Sequence, residues 1–262
     1  MFVRVMTSVG IVVPAYDPDI DRLTAYLDAL RETFDPAALR VELDAAGPGV
    51  ADRIRDAGVT VAESTGRRGK GAAITAGFEA LDTDVVAFAD ADGATPAGSL
   101  AEVVARVTDG DADLAVGSRR HPDATVESHQ TVVRRLLGDG FAWLAGTLLA
   151  VDLHDYQCGA KALTAAAWER VREHLYEAGF AWDVELVAVG GALGCRVAEV
   201  PITWEDQPGS TVSTVRAPVG LLGALVRARH RAKRLGDSRL HAALAARGSD
   251  DRALIDRPGS HE

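Results

Sequence analysis

Short apolar runs alternate with amphipathic stretches through the first half of the chain. The runs are VGIVVP (9–14), LRVELD (39–44), VTVAE (59–63), DVVAFA (84–89) and ADLAVGS (112–118). After the first run, helical spacing places four apolar side chains on one face, namely Leu23, Tyr26, Leu27 and Leu30. This alternation predicts βαβ units, and hence an α/β fold with a mostly parallel open sheet flanked by helices.

The second half of the chain has a less regular pattern. It predicts a polar loop at 119–130, helices at 131–150, 165–175 and 183–192, and a strand at 195–204. An Arg-rich helix follows residue 213, and a polar stretch begins at residue 236. We therefore expect a single folded domain over residues 1–235 and a polar, flexible tail over residues 236–262.

Composition narrows the classes of function. Hydrophobic residues make up 47% of the 262 positions, which suits a globular chain with a sizeable core. The net charge is -10 and lysine occurs only three times, which suits a salt-rich cytosol and argues against nucleic-acid binding. Cys158 and Cys195 have no CxxC partner, so we expect reduced, partly buried thiols rather than a disulfide framework or a zinc site.

The sequence predicts neither a signal peptide nor a membrane span. The N-terminal MFVRVMTSVGIVVPAY has no cleavage pattern and is better interpreted as a strand that ends at Pro14. The longest apolar runs, FAWLAGTLLAV (141–151) and APVGLLGALV (217–226), are shorter than the roughly 18 residues that a span needs. Either run is apolar enough to lie in the surface of a membrane.

Two carboxylates one residue apart, Asp90 and Asp92 in ADADGATP (89–96), follow the fourth apolar run. In the simplest interpretation they belong to a strand end and a turn that contains Gly93 and Pro96. A second interpretation is the DxDG motif of a haloacid-dehalogenase-type phosphatase. That motif normally closes the first strand of its domain, whereas three strand–helix units precede it here.

In a third interpretation the two carboxylates bind a divalent cation and, through it, a diphosphate. Side chains at i and i+2 of a strand face opposite ways, but a turn that begins at Asp92 can bring both to one side. Oxygen ligands suit Mg²⁺ or Mn²⁺, and such an ion neutralises charge on a departing nucleoside diphosphate. The upstream GRRGKGAAITAGFEAL (66–81) adds a Gly-rich helix start with Lys70, whose N–H groups can hold anions.

Several motifs agree, in order, with one enzyme family. They are GRRGKGAAITAGFEAL (66–81), DVVAFADADGATP (84–96), AVGSRR (115–120), RRLLGDGFAWLAGTLLAVDLHDYQCGAKAL (134–163), FAWDVELVAVGGALGCRVAEVPITW (180–204) and PGSTVS (208–213). Together they resemble family 2 glycosyltransferases, most like the dolichyl-phosphate β-glucosyltransferases and related to the dolichol-phosphate mannosyltransferases. The resemblance implies a GT-A-type, Rossmann-like fold with a nucleotide-sugar-binding half (1–118) and an acceptor-binding half (119–235).

The resemblance also implies donor contacts in the first two loops. Pro14 and Tyr16 match the family's P-x-Y-N-E, while Asp17 or Asp19 replaces its Glu. In the second loop, which usually reads D-D-G-S, Asp44 is retained as a candidate partner of the nucleotide base. These two departures leave the identity of the base open.

Later motifs imply a metal and further donor contacts. Asp90 and Asp92 match the family's metal motif, so a divalent cation, Mg²⁺ or Mn²⁺, is the implied cofactor. Asp155 belongs to D-x-Q-C-G-x-K, a segment that lies beside the sugar in the family, and Asp183 with Glu185 could face the donor. The further residues expected to bind the nucleotide sugar are Lys70, Asp90, Lys161 and Asp183.

Arginines in GSRR and VRRLL imply an anionic acceptor. In the family an Arg of G-S-R and a later Arg bind the acceptor phosphate, which assigns Arg119 and Arg134, together with Ser210 of PGSTVS. A polyprenyl phosphate is largely dianionic at neutral pH, so it needs positioning more than a general base. We expect in-line displacement with inversion. The residues expected to be catalytic are Asp92, Arg119, Arg134 and Asp155.

The implied reaction moves a hexose, glucose favoured, from UDP-glucose or GDP-mannose to a polyprenyl phosphate, for protein N-glycosylation or cell-surface glycan synthesis. The basic RARHRAKR (227–234) after the apolar 217–226 predicts that 217–234 contacts the membrane surface, with the protein cytoplasmic and peripheral on its inner face. The alternatives are mannosyl transfer, a soluble acceptor, or a non-catalytic nucleotide-sugar-binding protein. A nucleotide-sugar pyrophosphorylase is disfavoured, because PAYDPD (14–19) replaces the Gly-rich loop it needs.

Overall fold

The sheet at the centre of the fold has seven strands, and the first five are the apolar runs of the sequence. A computed structural model describes residues 7–127, 132–205, 217–235 and 252–257, and their side chains except at 127, 132–139 and 217–221. The strands are β1 (Val9–Tyr16), β2 (Ala38–Asp44), β3 (Thr60–Ser64), β4 (Val85–Ala89), β5 (Leu114–Ser118), β6 (Thr125–Glu127), β7 (Ala160–Thr164), β8 (Val197–Pro201) and β9 (Thr203–Glu205). The sheet order is β3-β2-β1-β4-β7-β5-β8, and β6 pairs with β9 separately.

Helices cover both faces of the sheet. They are α1 (Ile20–Phe34), α2 (Val50–Arg55), α3 (Lys70–Glu79), α4 (Ala97–Thr108), α5 (Val132–Leu148), α6 (Ala165–Val171), α7 (Trp182–Ala192) and α8 (Ala217–Leu235). One core contains Ile11 and Val13 with residues of α1, α2 and α4, while Val12 and Phe88 belong to a second core with residues of α3, α6 and α7. The central strands are buried on both faces, which is why they form continuous apolar runs. Among the described helices, none combines the length and apolar character that crossing a membrane requires.

The mostly parallel arrangement predicted from the sequence is confirmed, with one exception. β1 pairs in parallel with β2 and β4, and β5 pairs in parallel with β8. β7 is antiparallel to both β4 and β5. Because β7 runs the opposite way, it begins at the edge where β4 ends, and Ala160 lies opposite Ala89. The sequence pattern did not separate this strand from the polar segment that precedes it.

Two predicted boundaries differ from the structure. The loop expected at 119–130 contains β6, and the strand expected at 195–204 divides into β8 and β9. The division falls at Ile202, whose N–H donates to the Ser118 carbonyl before the chain changes its pairing from β5 to β6. This change of partner brings the Trp204 ring to 5.8 Å from the Arg119 guanidinium carbon.

Residues 252–257 pack on the domain, so the expected flexibility of the tail over 236–262 does not hold for these six residues. Leu254 is 3% exposed and belongs to the second core. Its N–H donates to the Leu175 carbonyl at 2.8 Å, and Arg257 donates to the Tyr176 carbonyl at 2.7 Å. Two buried apolar side chains, Ala253 and Leu254, and these hydrogen bonds hold a segment that composition alone predicted to be flexible.

Leu254→Ala should lower the free energy of unfolding by about 2–3 kcal/mol, because it removes a buried side chain and leaves a cavity. Urea unfolding followed by circular dichroism measures this change. Arg252→Ala, two residues away at an exposed position, is the control and should change stability by less than about 0.5 kcal/mol. Equal urea midpoints for Leu254→Ala and the wild type would contradict the docking of this segment.

Candidate functional site

Polar side chains from distant motifs meet at the carboxyl edge of the sheet. β1, β2, β4 and β5 end at this edge, β7 begins there, and α3 and α7 begin beside it. Contacts between motifs more than a hundred positions apart, such as the ion pair of Lys70 with Asp183, show that they form one site. The predicted residues at this edge are Tyr16, Asp44, Lys70, Asp90, Asp92, Arg119, Asp155, Lys161 and Asp183.

Two lysines share one buried carboxylate at the centre of the site. Lys161 Nζ lies 2.5 Å from Asp183 Oδ1 and donates to the Cys158 carbonyl at 2.7 Å. Lys70 Nζ lies 3.0 Å from the second oxygen of Asp183 and 2.9 Å from Asp90 Oδ1. Burial alone would lower the pKa of Lys70, but the carboxylates Asp183 and Asp90 outweigh it and raise that pKa. Lys70 is therefore a fixed cation beside Asp90.

Lys161 and Asp183 lie beneath the surface of the site rather than on it. Their exposed fractions are 0% and 1%, whereas the family resemblance predicted that both contact the nucleotide sugar. A ligand reaches only exposed atoms, so in this structure the two residues have a supporting role. Asp183 holds Lys70 through an ion pair, and Lys161 pairs with the other oxygen of Asp183.

Asp90 and Asp92 have different partners. Asp90 donates its N–H to the Gly159 carbonyl and pairs through its carboxylate with Lys70. Asp92 accepts a hydrogen bond from the Ala94 N–H at 3.0 Å, and no cation among the described residues is in ion-pair contact with it. Burial, and then the neighbouring charge of Asp90, raise the pKa of Asp92. Lys70 and Arg22 oppose this rise without forming an ion pair with Asp92, so of the two carboxylates Asp92 is the one without a described cation in contact.

A divalent cation fits this pair of carboxylates. The described residues contain no group of three or more His, Cys, Asp or Glu side chains that could hold a metal by themselves. The protein would therefore supply Asp92 and Asp90, and a bound diphosphate would supply further oxygens. A carboxylate without an ion-pair partner and an all-oxygen donor set are what Mg²⁺ or Mn²⁺ prefers.

Gly159 allows the segment before β7 to lie against Asp90. A Cβ atom built on Gly159 would overlap the Asp90 carboxylate, so a larger residue would displace that carboxylate or the strand. The steric overlap therefore explains why the D-x-Q-C-G-x-K motif has a glycine at this position. The motif places it one residue before an antiparallel strand, at the point where this strand meets the end of β4.

Asp44 holds the Gly-rich loop that leads into α3. Its Oδ2 accepts the N–H groups of Arg68 at 2.8 Å and Gly69 at 3.0 Å, and its Oδ1 pairs with the Arg68 Nε at 2.7 Å. Gly69 has a φ of 98°, and a Cβ there would collide with the Ala178 carbonyl. Asp44 is 3% exposed, so this candidate partner of the base has a loop-ordering role in the structure instead.

Tyr16 is the accessible aromatic residue of the first loop. Its side chain is 42% exposed, and the Arg67 guanidinium carbon lies 3.9 Å from the ring centroid. Pro14 is half-buried within β1. Asp19 caps α1 with its side chain, whereas Asp17 is exposed with a left-handed φ of 47°. Of the two candidates for the family's Glu, Asp17 is therefore the one available to a ligand.

Arg119 and Asp155 form a bidentate pair on the other side of the site. Arg119 Nε lies 2.6 Å from Asp155 Oδ2, and Nη2 lies 3.0 Å from Oδ1. Burial would raise the pKa of Asp155, but Arg119 outweighs it and lowers that pKa, while Asp155 raises the pKa of Arg119. A cleft beside this pair is lined by Arg120, Phe141 and Gln157. Asp155 is 3% exposed and orients Arg119 by engaging its Nε and Nη2.

Two residues predicted to bind the acceptor cannot be placed. Arg134 lies in α5, but its side chain is not among those described. Ser210 lies outside the described residues.

The basic stretch of α8 is partly engaged within the protein. Arg231 pairs with Glu185, which is fully buried, and Arg227 Nε lies 2.8 Å from Glu177 Oε1. Burial raises the pKa of Glu185 despite the opposing effect of Arg231. Glu185, which the sequence suggested could face the donor, instead anchors α8 to the start of α7.

Two residues of the site were missed at the sequence level. Phe180 is 47% exposed, and Lys70 Nζ lies 5.9 Å from its ring centroid. Glu199 on β8 accepts backbone N–H groups from the segment that carries Asp155. The available signal for Glu199 was a single acid within the otherwise apolar VAEVP. Cys158 and Cys195 are free and are both buried, rather than partly buried as the sequence suggested.

The chain is similar in sequence to known glycosyltransferases. Residues 11–134 match the profile of Glycosyl transferase family 2. The chain is 31% identical over 232 residues to Glycosyltransferase AglD of Haloferax volcanii, a match that covers 84% of this chain and 36% of that protein. It is 27% identical over 225 residues to the human dolichyl-phosphate beta-glucosyltransferase, covering 78% of this chain and 69% of that protein. The chain thus spans about a third of the first relative's length and about two thirds of the second's.

Solved structures share the fold. A glucosyl-3-phosphoglycerate synthase from Mycobacterium tuberculosis, in complex with Mn²⁺, UDP-glucose and phosphoglyceric acid, superposes with a TM-score of 0.66 at 15% identity, over 86% of this chain and 80% of the other. A mannosyl-3-phosphoglycerate synthase from Rubrobacter xylanophilus superposes with a TM-score of 0.65 at 20% identity, over 97% and 78%. The expected GT-A fold is therefore confirmed. Residues 11–134 thus carry the profile of glycosyltransferase family 2, and the fold agrees with that match.

Proposed function

We propose that this protein transfers a hexose, with glucose favoured, from a nucleotide sugar to a polyprenyl phosphate. The observation that carries the proposal is the division of the carboxyl edge into an acidic and a basic part. Asp92 has no cation in ion-pair contact among the described residues, which suits a metal ion with a diphosphate, and Arg119 is a half-buried cation that suits a phosphate. The names of the relatives support the sugar and the lipid acceptor, and the synthase complex with UDP-glucose supports the donor.

On the donor side, Asp92 and Asp90 would hold Mg²⁺ or Mn²⁺. When bound, that ion neutralises charge on the leaving nucleoside diphosphate. Lys70, the first residue of α3, adds a cation at a helix N-terminus, where backbone N–H groups favour anions. Tyr16 offers an exposed ring for the nucleotide.

On the acceptor side, Arg119 would bind the phosphate through Nη1, because Asp155 already engages its Nε and Nη2. Arg134 and Ser210 are proposed as further phosphate contacts. A phosphate monoester has its second pKa near about 6, so its oxygen is nucleophilic at neutral pH without a general base. The protein therefore positions two anions for in-line attack at the anomeric carbon, and the displacement inverts that centre.

A soluble phosphorylated acceptor is the second candidate function. It is favoured by one observation, namely that the superposing synthases are named for 3-phosphoglycerate and one of them contains phosphoglyceric acid. The phosphate contact of Arg119 would be the same with either acceptor. The lipid acceptor is preferred because two relatives named for dolichyl phosphate are 28% and 27% identical to the chain, whereas the two synthases are 15% and 20% identical.

We further propose that the protein is cytoplasmic and contacts the inner face of the membrane through 217–234. Leu222 and Val226 are 45% and 60% exposed, and Lys233 is exposed as well. Spacings of four and eleven residues place these three side chains on one side of α8, at about 100° per residue. An apolar strip that ends in a basic residue suits a surface of anionic lipid.

The donor and the acceptor are tested together by incubating the protein with UDP-glucose or GDP-mannose, Mn²⁺, and either a polyprenyl phosphate or 3-phosphoglycerate. We expect a glucolipid from UDP-glucose and the polyprenyl phosphate, separated by thin-layer chromatography. Transfer to 3-phosphoglycerate alone would establish the second candidate instead. No transfer in any combination would contradict an enzymatic role.

Asp92→Asn should lower the transfer rate by at least about a hundredfold, because the site loses the carboxylate that has no other charge partner. The fold should persist, since the variant removes a partly buried charge beside Asp90. Circular dichroism and the melting temperature check the fold. Asp82→Asn is the matched control. Asp82 is exposed and lies just before β4 begins, at the edge of the sheet away from the site, so this variant should keep wild-type activity. Normal transfer by Asp92→Asn with Mn²⁺ present would refute the assignment.

Membrane contact is tested by co-sedimentation with vesicles of anionic phospholipid. We expect the wild type to sediment with the vesicles, and the double variant Leu222→Asp/Val226→Asp to remain in the supernatant, because it replaces the exposed apolar strip with charge. Asp109→Asn, an exposed substitution next to the end of α4, is a control for nonspecific effects of changed charge. A wild-type protein that stays in the supernatant would contradict the proposed surface.

A further inference from the structure

Glu199 connects β8 to the segment that carries Asp155. It lies on β8 opposite Val116 of β5, and its side chain is 11% exposed. Its Oε1 accepts the N–H of His154 at 2.8 Å and the N–H of Asp155 at 3.0 Å. Its Oε2 lies 2.8 Å from Nδ1 of His154. One carboxylate thus makes three contacts with two consecutive residues.

These contacts hold a segment of the chain that has no regular secondary structure. Residues 149–159 contain neither helix nor strand, so their backbone N–H groups need partners outside a regular ladder. Glu199 supplies an acceptor for two of these groups in succession. Because Glu199 is part of a strand in the central sheet, it ties the segment to a rigid element.

Asp155 is therefore held at both ends. Its N–H donates to Glu199, and its carboxylate accepts two hydrogen bonds from the Arg119 guanidinium and a third from the Gln157 N–H at 3.0 Å. Arg119 follows β5 directly, and its own N–H points to Asp155 Oδ2 at 3.3 Å. The orientation of the guanidinium thus depends on where Glu199 fixes the Asp155 backbone.

We propose that Glu199 is a positioning residue for the acceptor phosphate, acting through Asp155 on Arg119. The inference rests on the proposed function, in which Arg119 binds that phosphate. Glu199 itself contacts neither substrate. Its loss would let the 154–155 turn shift, and Arg119 would then sample orientations in which Nη1 no longer meets the phosphate. A side chain misplaced by a fraction of an ångström is enough to weaken such a contact.

The test compares Glu199→Ala with Glu199→Gln in steady-state kinetics with UDP-glucose and a short polyprenyl phosphate. Glu199→Ala should raise the KM for the polyprenyl phosphate by about tenfold or more, while the KM for UDP-glucose stays within about twofold. Glu199→Gln keeps an oxygen that can accept both N–H groups, so it should recover most of the loss. Asp113→Ala is the matched control, because Asp113 accepts the Arg196 N–H at the opposite end of β8.

Asp113→Ala should lower stability without changing either KM, whereas a merely structural role of Glu199 would make its variants behave like this control. In an Arg119→Lys background, Glu199→Ala should add little further loss, because both act on one contact. Unchanged acceptor KM in Glu199→Ala, equal changes in both KM values, or fully additive effects with Arg119→Lys would each overturn the inference. If the wild type itself forms no glycolipid, the proposed function has failed. Calorimetric titration with the polyprenyl phosphate alone then still tests whether Glu199 supports phosphate binding.

Discussion

The site depends on the ion pairs that join Lys161, Lys70 and Arg119 to the carboxylates of Asp183, Asp90 and Asp155. Lys161 and Lys70 both pair with Asp183, Lys70 also pairs with Asp90, and Arg119 is occupied by Asp155. Removing one member of such a buried pair leaves an isolated charge and typically costs about 3–5 kcal/mol. These pairs are therefore fixed parts of the fold.

Asp92 differs from these paired residues. Among the described residues no cation is in contact with it, and its pKa is raised. A carboxylate without a cation in contact suits a divalent cation that arrives with an anionic ligand. Arg119 is the complementary case. A buried carboxylate holds its guanidinium through Nε and Nη2, and the side chain stays partly exposed, which suits an anion that binds and leaves.

Much of the fold was readable from the sequence because local patterns encode it. Apolar runs identified five strands, and the polar residues after them meet at one edge because these strands are parallel. The direction of β7 could not be read, because a short strand has the same pattern whichever way it pairs. The roles of Asp44 and Glu199 were also hidden. Both accept N–H groups from segments that are distant in the sequence, and only the folded chain brings those donors near.

Calorimetric titration of the wild-type protein with UDP-glucose, with Mn²⁺ and with a chelator, tests the central claim most directly. Donor binding should depend on a metal ion because Asp92 has no cation in contact among the described residues. Without a metal ion, this carboxylate and the diphosphate of UDP-glucose repel each other. The account predicts that Mn²⁺ tightens donor binding by at least about tenfold, or about 1.4 kcal/mol. Equal affinity with Mn²⁺ and with the chelator would contradict it.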